Sequence, residues 1–406
     1  MKLLLSRVVL ILLLSLAASG GVHAKKYRPV NEIPGQVPET DEERGIWQVG
    51  IAHQNQVRGT EELVNDPELE HYIEGVIKRL MGSMVEEIGM EVDVLVFKDP
   101  TVNAWVYPNG TVGVQTGLLA AMENEAQLAA ILGHEVSHFL NRHAFIQIKA
   151  KQKTSVLGKG LGVLATVAVA AKTGQVDTGL LTSGQIWTDL VTSGYSRKLE
   201  SAADSQGLHL MAAAGYPPEQ ALPAFETMRL PEDNVVDVAK MWSSHPDIDA
   251  RKKNLSKQIK KNKAVSSGAG MDSERYLHAI RAAALSNAQL QMKYRKFDAA
   301  IARLEKFTQA LDTNPAGHFL LGEAYRKQTP EGNLAARISA YQNAITHKPD
   351  YADPYRELGM AYRQQGQKQQ AYDAYSRYLE LAGSALDAPI IGWYRDNLAA
   401  ISTAPQ

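Results

Sequence analysis

The sequence has no cysteine among its 406 residues, which excludes disulfide bridges, iron–sulfur clusters, thiol catalysis and a lipid-modified N-terminal cysteine. Any metal in this protein must therefore be bound by His, Asp or Glu. An excess of charge of one sign is also missing, because 43 Lys and Arg face 44 Asp and Glu. The net charge of -1 provides no overall field for nucleic acid or anionic lipid, and we expect no nucleic-acid partner.

Two apolar runs are each too short for the roughly 20 residues that a membrane-spanning helix needs. The first, Val8 to Ala18, follows a positively charged start and precedes Val22-His23-Ala24, which places small residues where signal peptidase requires them. We therefore predict a cleaved signal peptide over residues 1–24 and export of the protein, with an uncleaved membrane anchor as the alternative. The second run, Leu161 to Ala171, is expected to pack in the core, to cover a cleft, or to make a peripheral contact with a membrane or an apolar substrate.

The remaining sequence divides into a mixed N-terminal half and a helical C-terminal half. The β-branched alternation of Glu91 to Phe97 predicts a strand, and Val102 to Gln115 predicts two paired strands around Pro108-Asn109-Gly110. Helical patterns dominate after that, and nearly every residue from Tyr276 to Ile401 is expected to be helical. The stretch from Lys252 to Asp272 is the most polar one between the halves, so we place the domain boundary there.

The C-terminal half contains an internal repeat. Leu321-Gly322-x-x-Tyr325 recurs as Leu358-Gly359-x-x-Tyr362, and each copy lies in a predicted helix followed by a second helix. The pattern resembles the tetratricopeptide repeat, in which small residues let two helices approach while Leu and Tyr fill the groove between units. The earlier copy has an insertion over Gln328 to Asn333 and Arg337 in place of a small residue, and a degenerate unit precedes it at Tyr294 to Asp312. We expect stacked helix pairs with a concave, peptide-binding surface, or a helical bundle without a ligand.

The candidate catalytic motif is HExxH, which lies within a segment, Asn124 to His143, that predicts one buried amphipathic helix. Residues four apart share a helix face, so His134 and His138 can reach one metal ion. Glu135, the residue after His134, projects from the adjacent part of the helix surface. The metzincin extension is absent, because residue 141 is Asn where that pattern has Gly. A third ligand must therefore come from elsewhere, and a glutamate is the other common solution.

A candidate for that glutamate lies in a second predicted helix, Arg197 to Ala214. Glu200 and Asp204 are four residues apart and share one face of this helix, which would let Glu200 bind the metal while Asp204 orients a ligand imidazole. The apolar residues Leu208 and Met211 indicate that the helix is largely buried. Two carboxylates in a buried helix need partners such as a metal ion and an imidazole. An exposed pair of helix acids is the alternative.

Three segments in this order, Asn124 to His143, Tyr195 to Tyr216 and Ser243 to Arg251, resemble the HtpX-like and CAAX-prenyl-protease-like family of gluzincin zinc metallopeptidases. The resemblance implies one zinc ion per chain, held by His134, His138 and Glu200. It further implies that Glu135 acts as general base and then as general acid, with Asp204 in support.

The resemblance also implies a fold class. We expect an α+β protein: a mainly helical zincin metallopeptidase domain with a small sheet, followed by an all-α tetratricopeptide-repeat solenoid. The predicted domains are the signal peptide over 1–24, the metallopeptidase domain over 25–255, a polar linker over 256–275 and the repeat domain over 276–402.

Further site residues follow from the same resemblance. His245 and Arg251 match the family's (Ser/Thr)-His-Pro segment and its downstream Arg, so both are expected beside the metal. There the pair would stabilise an oxyanion, or His245 would occupy the open zinc position and keep the enzyme latent. Asn103 and Ala104 resemble the family's substrate-binding strand, with an ordinary sheet strand as the alternative. His143 is expected to be a structural, hydrogen-bonded histidine.

The family, the signal peptide and the repeats together imply a periplasmic protein with two candidate functions. In the first, a zinc endopeptidase cleaves misfolded or stalled outer-membrane proteins, and it also acts as a chaperone in their assembly. The repeats then recruit unfolded or misfolded envelope proteins, or the outer-membrane β-barrel assembly machinery. In the second, the protein is a non-proteolytic chaperone or adaptor that acts through the repeats while the metal site is latent. The complete ligand set favours the enzyme.

Overall fold

The computed structural model describes residues 29–32, 37–154, 194–228, 248–262, 268–329 and 332–402. The predicted signal peptide, the second apolar run and His245 lie outside these residues. Most of the described residues are helical, and they include one three-stranded sheet. None of the helices in this part of the chain is both long enough and apolar enough to cross a lipid bilayer.

The N-terminal half contains α1 (Asp41–Val57), α2 (Pro67–Met81), α3 (Met84–Ile88), β1 (Val94–Phe97), β2 (Ala104–Val106), β3 (Val112–Gln115), α4 (Thr116–Ala121), α5 (Glu125–Leu140), α6 (His143–Thr154), α7 (Arg197–Ala213), α8 (Ala221–Thr227) and α9 (Ile248–Asn262). The C-terminal half contains α10 (Ser273–Ala279), α11 (Arg281–Lys293), α12 (Phe297–Ala310), α13 (Pro315–Gln328), α14 (Leu334–His347), α15 (Ala352–Gln364), α16 (Lys368–Ala382) and α17 (Ala388–Ser402).

The sheet has the strand order β1-β3-β2. β1 runs parallel to β3 with Val94 opposite Val112, and β2 runs antiparallel to β3 with Ala104 opposite Val114. The predicted pair of strands around the turn is therefore confirmed, whereas the strand predicted from Glu91 onward begins only at Val94. Among the described residues β2 is an edge strand, and it packs on α5, so this edge lies beside the helix that carries the HExxH motif.

The two helices that carry the candidate ligands begin at caps that their own sequence provides. Asn124 accepts a hydrogen bond from the backbone N–H of Gln127 at 3.0 Å, at the start of α5. Ser196 accepts one from the backbone N–H of Leu199 at 3.5 Å, at the start of α7. Each cap satisfies an otherwise unpaired N–H group and so fixes where its helix starts.

The C-terminal end of α5 differs from the prediction. α5 ends at Leu140, because Arg142 has a left-handed φ of +54° and turns the chain before α6 begins at His143. One continuous helix over 124–143 is therefore wrong. The turn is held by a buried ion pair between Arg142 and Glu43 of α1, a tertiary contact that helical periodicity does not reveal.

The predicted linker over 256–275 also differs from the structure at its start. α9 continues to Asn262, and α10 begins at Ser273. The reason is a short apolar stripe, since Leu255 and Ile259 are one turn apart and both pack on the main hydrophobic core. A helix can therefore form although most of its other side chains are lysines and polar residues.

The first helices of the C-terminal half share the core of the N-terminal half. Tyr276 and Ile280 are buried in the same hydrophobic cluster as residues of α2, α4 and α5. The Tyr276 hydroxyl donates a hydrogen bond to the carbonyl of Leu119 at 2.7 Å. The backbone N–H of Ala126 donates to the carbonyl of Gly270 at 3.0 Å, at the start of α5.

Helices α11 to α17 pack against their sequence neighbours, and the two copies of the repeat pack alike. Gly322 of α13 lies against Tyr341 of α14, and a Cβ on this glycine would be 2.3 Å from the ring. Gly359 of α15 lies against Tyr375 of α16, where a Cβ would be 2.4 Å from the ring. Arg337, which replaces a small residue in the earlier copy, is buried.

Candidate metal centre and active site

The candidate metal ligands meet where α5 contacts α7. His134 and His138 lie one turn apart on α5, Glu200 comes from α7, and all three side chains are buried. Each offers one ligand atom, and these atoms all lie within 4.8 Å of one another. The structure therefore brings together the three residues that spacing and family resemblance predicted as ligands.

The donor atoms form a compact triangle. The Nε2 atoms of His134 and His138 are 3.0 Å apart. Glu200 places Oε2 3.5 Å from the Nε2 of His134 and Oε1 3.5 Å from the Nε2 of His138. Two imidazole nitrogens and one carboxylate are a donor set of catalytic zinc sites, in which a fourth position stays open. The donors thus fit a zinc ion.

Two glycines allow α5 and α7 to approach closely enough for these contacts. Gly133 and Gly207 face each other, and a Cβ on Gly207 would lie 2.8 Å from the backbone nitrogen of His134. A side chain at position 207 would therefore push the two helices apart. The glycine pair determines how far Glu200 reaches toward the two histidines.

Asp204 orients the first imidazole. The Nδ1 of His134 donates a hydrogen bond to Asp204 Oδ1 at 3.0 Å, so the lone pair of Nε2 is directed toward the other ligands. Burial raises the pKa of Asp204, but the hydrogen bond from His134 and the ion pair with Arg251 lower it more, and the net pKa is well below its usual range. Asp204 is therefore ionised, as its predicted supporting role requires.

Arg251 reaches the same cluster from α9. Its Nη2 lies 2.7 Å from Asp204 Oδ1, and its Nη1 lies 3.4 Å from Glu200 Oε2. Burial lowers the pKa of Arg251, but Asp204 and Glu200 raise it more, so the guanidinium stays charged. These contacts indicate that Arg251 positions the two carboxylates. Its expected catalytic role, together with His245, stays a prediction.

The second imidazole is held by two side chains. The Nδ1 of His143 lies 3.0 Å from the Nδ1 of His138, which agrees with the structural, hydrogen-bonded role predicted for His143. Burial and the nearby His134 lower the pKa of His143 to about 4, so its ring is neutral at pH 7. Tyr195 stacks on His138, with ring centroids 3.9 Å apart and 22° between the planes.

Tyr195 and Phe225 are site residues that sequence reasoning missed. Phe225 of α8 stands edge-on to His134, with centroids 5.8 Å apart, and the Arg251 guanidinium lies 4.5 Å above its ring. Tyr195 begins the second of the three family segments, so that segment held a signal for it. No motif marks Phe225, because only the packing of α8 on α5 brings it to the site.

The remaining predicted residues lie next to the cluster or along the sheet edge. Glu135 is buried one residue after His134, close enough to influence the pKa of Tyr195 and of Arg251. Asn103 is buried just before β2, and Ala104 begins that strand. Substrate binding by Asn103 and Ala104 stays a prediction.

A buried HExxH helix that is joined by a glutamate from a second helix, in a mainly helical domain with a small sheet, defines a gluzincin-type metallopeptidase. Residues 66–259 match peptidase family M48, which supports a metallopeptidase domain over this part of the chain. Zinc is the metal that M48 metallopeptidases use.

The chain resembles several named members of this group. It is 27% identical over 201 residues to the beta-barrel assembly-enhancing protease of Escherichia coli (strain K12), a match that covers 50% of this chain and 39% of that protein. It is 32% identical over 181 residues to the mitochondrial metalloendopeptidase OMA1 of Schizosaccharomyces pombe, covering 44% of this chain and 50% of that protein. It is also 27% identical over 187 residues to the metalloprotease YcaL of Escherichia coli (strain K12), covering 46% and 69%. The chain thus spans about half or less of the length of the first two relatives.

Proposed function

We propose that this protein is a periplasmic zinc endopeptidase of envelope protein quality control. It cleaves misfolded or stalled outer-membrane proteins and also acts as a chaperone in their assembly. The observation that carries the proposal is the buried cluster of His134, His138 and Glu200 with Glu135 beside it. Similarity to the beta-barrel assembly-enhancing protease supports the substrate class, and the predicted signal peptide over 1–24 supports export.

The proposed mechanism assigns the acid–base chemistry to one side chain. Zinc, when held by His134, His138 and Glu200, supplies a Lewis acid that polarises the scissile carbonyl and lowers the pKa of water. Glu135 removes the proton from the attacking water and later transfers it to the leaving amine. The burial of Glu135 removes competing solvent and strengthens these electrostatic interactions.

Neighbouring residues keep the ligands in place for this chemistry. Asp204 and His143 each contact the Nδ1 of one imidazole, which leaves both Nε2 atoms directed at the cluster. Arg251 contacts Asp204 and Glu200, and it offsets part of their negative charge. Preorganised ligands of this kind lose little freedom when a metal binds.

The substrate would bind along the sheet edge next to α5. Asn103 lies just before β2 and Ala104 begins it; β2 is an edge strand among the described residues and packs on α5. An extended polypeptide can add to such an edge through main-chain hydrogen bonds, which read backbone more than side chains. That mode of binding suits an enzyme whose substrates are unfolded proteins.

We assign the C-terminal helices to a tetratricopeptide-repeat solenoid that recruits unfolded or misfolded envelope proteins or the outer-membrane β-barrel assembly machinery. The support is the repeated motif at Gly322 and Gly359 and the equivalent packing of these glycines on Tyr341 and Tyr375. The second apolar run would add a peripheral contact with the membrane or with an apolar substrate.

The test is proteolysis of casein by the purified mature protein. We expect cleavage that a chelator abolishes and that Glu135→Gln reduces by at least about 100-fold, because the general base is lost. The variant should retain its zinc and its unfolding midpoint. Glu219→Gln, which changes an exposed carboxylate, is the matched control and should cleave normally. Cleavage by Glu135→Gln at the wild-type rate would show that the assignment is wrong.

A non-proteolytic chaperone or adaptor is the second candidate function. It is favoured by the repeat packing at Gly322 and Gly359, which is characteristic of peptide-binding arrays and does not involve the metal centre. In a deletion strain, full restoration of envelope integrity by Glu135→Gln would favour the adaptor. Failure to restore it, with binding to partners retained, would favour proteolysis.

A further inference from the structure

A cavity of about 570 Å³ lies between the N-terminal half and the helical array. One wall is the segment Ala120 to Glu123, which comprises the end of α4 and the residues that follow it, and the other wall is formed by α10, α11 and α12. None of the residues that line this cavity is a candidate metal ligand. Its volume is in the range of pockets that bind small ligands, about 300 to 1,000 Å³.

Small apolar side chains line most of this cavity. Ala284, Ala299 and Ala302 leave the space open, while Leu277 and Phe307 provide larger apolar surfaces. Such walls favour a ligand with an apolar chain, because its burial removes hydrocarbon surface from water.

Two cations face the same apolar space. Arg303 is half-buried and donates a hydrogen bond to the backbone carbonyl of Ala120, and Lys306 is exposed at the rim. Within the described ranges, no carboxylate forms an ion pair with either cation. Burial lowers the pKa of Arg303, and the nearby Tyr276 opposes this only in part. A half-buried guanidinium without an acidic partner is suited to bind an anion.

The cavity also contains hydrogen-bond acceptors. Glu123 and Ser273 also line it, and both residues are exposed. Glu123 lies next to Gln127, whose amide nitrogen is 3.5 Å from Glu123 Oε2. Acceptors of this kind match the N–H groups of a peptide backbone, which a simple fatty acid lacks.

We propose that this cavity binds the apolar C-terminal end of a polypeptide. The terminal carboxylate pairs with Arg303 and Lys306, the apolar side chains pack on the alanine-lined wall, and backbone N–H groups donate to Glu123 and Ser273. The bound peptide lies at the base of the helical array, beside the segment that leads into α5. The site is separate from the metal centre and does not depend on hydrolysis.

The test is fluorescence anisotropy with the full mature chain and a fluorophore-labelled hexapeptide of Ala, Leu and Val. We expect the peptide with a free C-terminal carboxylate to bind at least about tenfold more tightly than the same peptide with a C-terminal amide, a factor typical for loss of a charge-assisted contact. Arg303→Gln should weaken binding of the free acid about tenfold. Ala299→Phe, which fills the cavity without removing a charge, should weaken it similarly.

Lys293→Gln is the matched control, because it removes an exposed cation of α11 that does not line the cavity. It should leave the affinity unchanged. Equal binding of the acid and the amide would overturn the proposal, as would wild-type affinity in both Arg303→Gln and Ala299→Phe. Tighter binding of decanoate than of the peptide would overturn it in favour of a lipid carboxylate. Cleavage of casein by Glu135→Gln at the wild-type rate would overturn the proposed function but would leave this binding unchanged, so the two proposals fail separately.

Discussion

Each imidazole of the candidate centre is held through the nitrogen that faces away from the other ligands. His134 donates from Nδ1 to Asp204, and the Nδ1 of His138 contacts His143. A ring that is fixed in this way keeps one tautomer and one orientation, which favours metal binding without rearrangement. The residues around the ligands therefore contribute to metal affinity although they do not bind the metal.

The substitution Asp204→Asn tests this at a single residue. It keeps the size of the side chain but removes the charge that polarises His134 and pairs with Arg251. We expect zinc affinity to fall by about 10- to 100-fold, measured by competition with a chelator of known affinity. Glu219→Gln, on the exposed surface, should leave the affinity unchanged. An unchanged zinc affinity in Asp204→Asn would mean that the hydrogen bond does not support the ligand.

The ligands themselves were predictable from sequence, whereas some of their neighbours were not. His134 and His138 follow from helical spacing, and Glu200 follows from a second helix whose pattern requires burial. Phe225 was not predictable, because it reaches His134 only through the crossing of α8 and α5. The spacing of residues along the chain carries no information about that crossing.

At the scale of the helix, the contact between α5 and α7 depends on the absence of a side chain at position 207. We expect Gly207→Ala to lower both the stability and the zinc affinity, because its Cβ would meet the backbone nitrogen of His134 at 2.8 Å. The destabilisation should be about 1 to 3 kcal/mol in urea unfolding.

Gly75→Ala is the control for that experiment. Gly75 lies inside α2 and is exposed, and a Cβ there would have no atom within 4 Å. The substitution should raise stability by about 0.5 to 1 kcal/mol, since alanine favours helix over glycine. Equal effects of the two substitutions would show that close packing at Gly207 is not what sets the helix separation.

Two buried acids of the helical array have pKa values that are shifted in opposite directions. Burial raises the pKa of Glu323, but hydrogen bonds from Arg326 and Tyr341 lower it more, so the net shift is downward. Burial and the nearby Glu323 raise the pKa of Glu357, and its contacts with Arg326 and Arg356 compensate only in part. Ionisation of Glu323 therefore stabilises the array, whereas ionisation of Glu357 opposes folding.

These opposite shifts predict opposite effects of two similar substitutions. A lowered folded-state pKa contributes stability that is present at pH 7 and is lost as the pH falls through that pKa. Glu323→Gln removes this contribution, so it should lower the free energy of unfolding at pH 7 by about 1 to 3 kcal/mol. A raised folded-state pKa means that stability falls as the pH rises through it, so Glu357→Gln should be neutral or stabilising at pH 7. Urea unfolding at pH 7 and pH 4 measures both effects. A loss of stability of the same size in both variants at pH 7 would contradict the account.

Secondary structure was predictable from the sequence where local signals are strong. It was not predictable where tertiary contacts determine the end of a helix or the pairing of a strand. The turn at Pro108-Asn109-Gly110 predicted the antiparallel pair β2 and β3. The parallel pairing of β1 with β3 had no local signal, because it joins strands that are separated by β2. The end of α5 at Leu140 depends on Arg142 and its distant partner Glu43.

For the molecule as a whole, the two halves are joined by buried contacts. The polar stretch between them suggested a domain boundary with a polar linker, but Tyr276 is buried in the core of the N-terminal half. We therefore expect the two halves to unfold in one transition. The polar composition of the stretch was misleading because Leu255 and Ile259, only four residues apart, are enough to anchor α9.

Tyr276→Phe tests this connection. It removes the donor to the Leu119 carbonyl and leaves that buried acceptor unpaired, so we expect a loss of about 1 to 3 kcal/mol in the free energy of unfolding. Tyr294→Phe is the control, because Tyr294 is 58% exposed, and its effect should be within about 0.5 kcal/mol. Two separate transitions in the wild-type chain, with Tyr276→Phe affecting neither, would indicate that the halves are energetically independent.

The most direct measurement is the zinc content of the purified, dialysed chain, determined by atomic spectroscopy. We expect one zinc ion per chain in the wild type and in the surface control Glu219→Ala. In Glu200→Ala we expect loss of that zinc, with the helical circular dichroism retained. Zinc at one per chain in Glu200→Ala, or a wild-type chain that binds none when zinc is supplied, would contradict the assignment of His134, His138 and Glu200 as one metal centre.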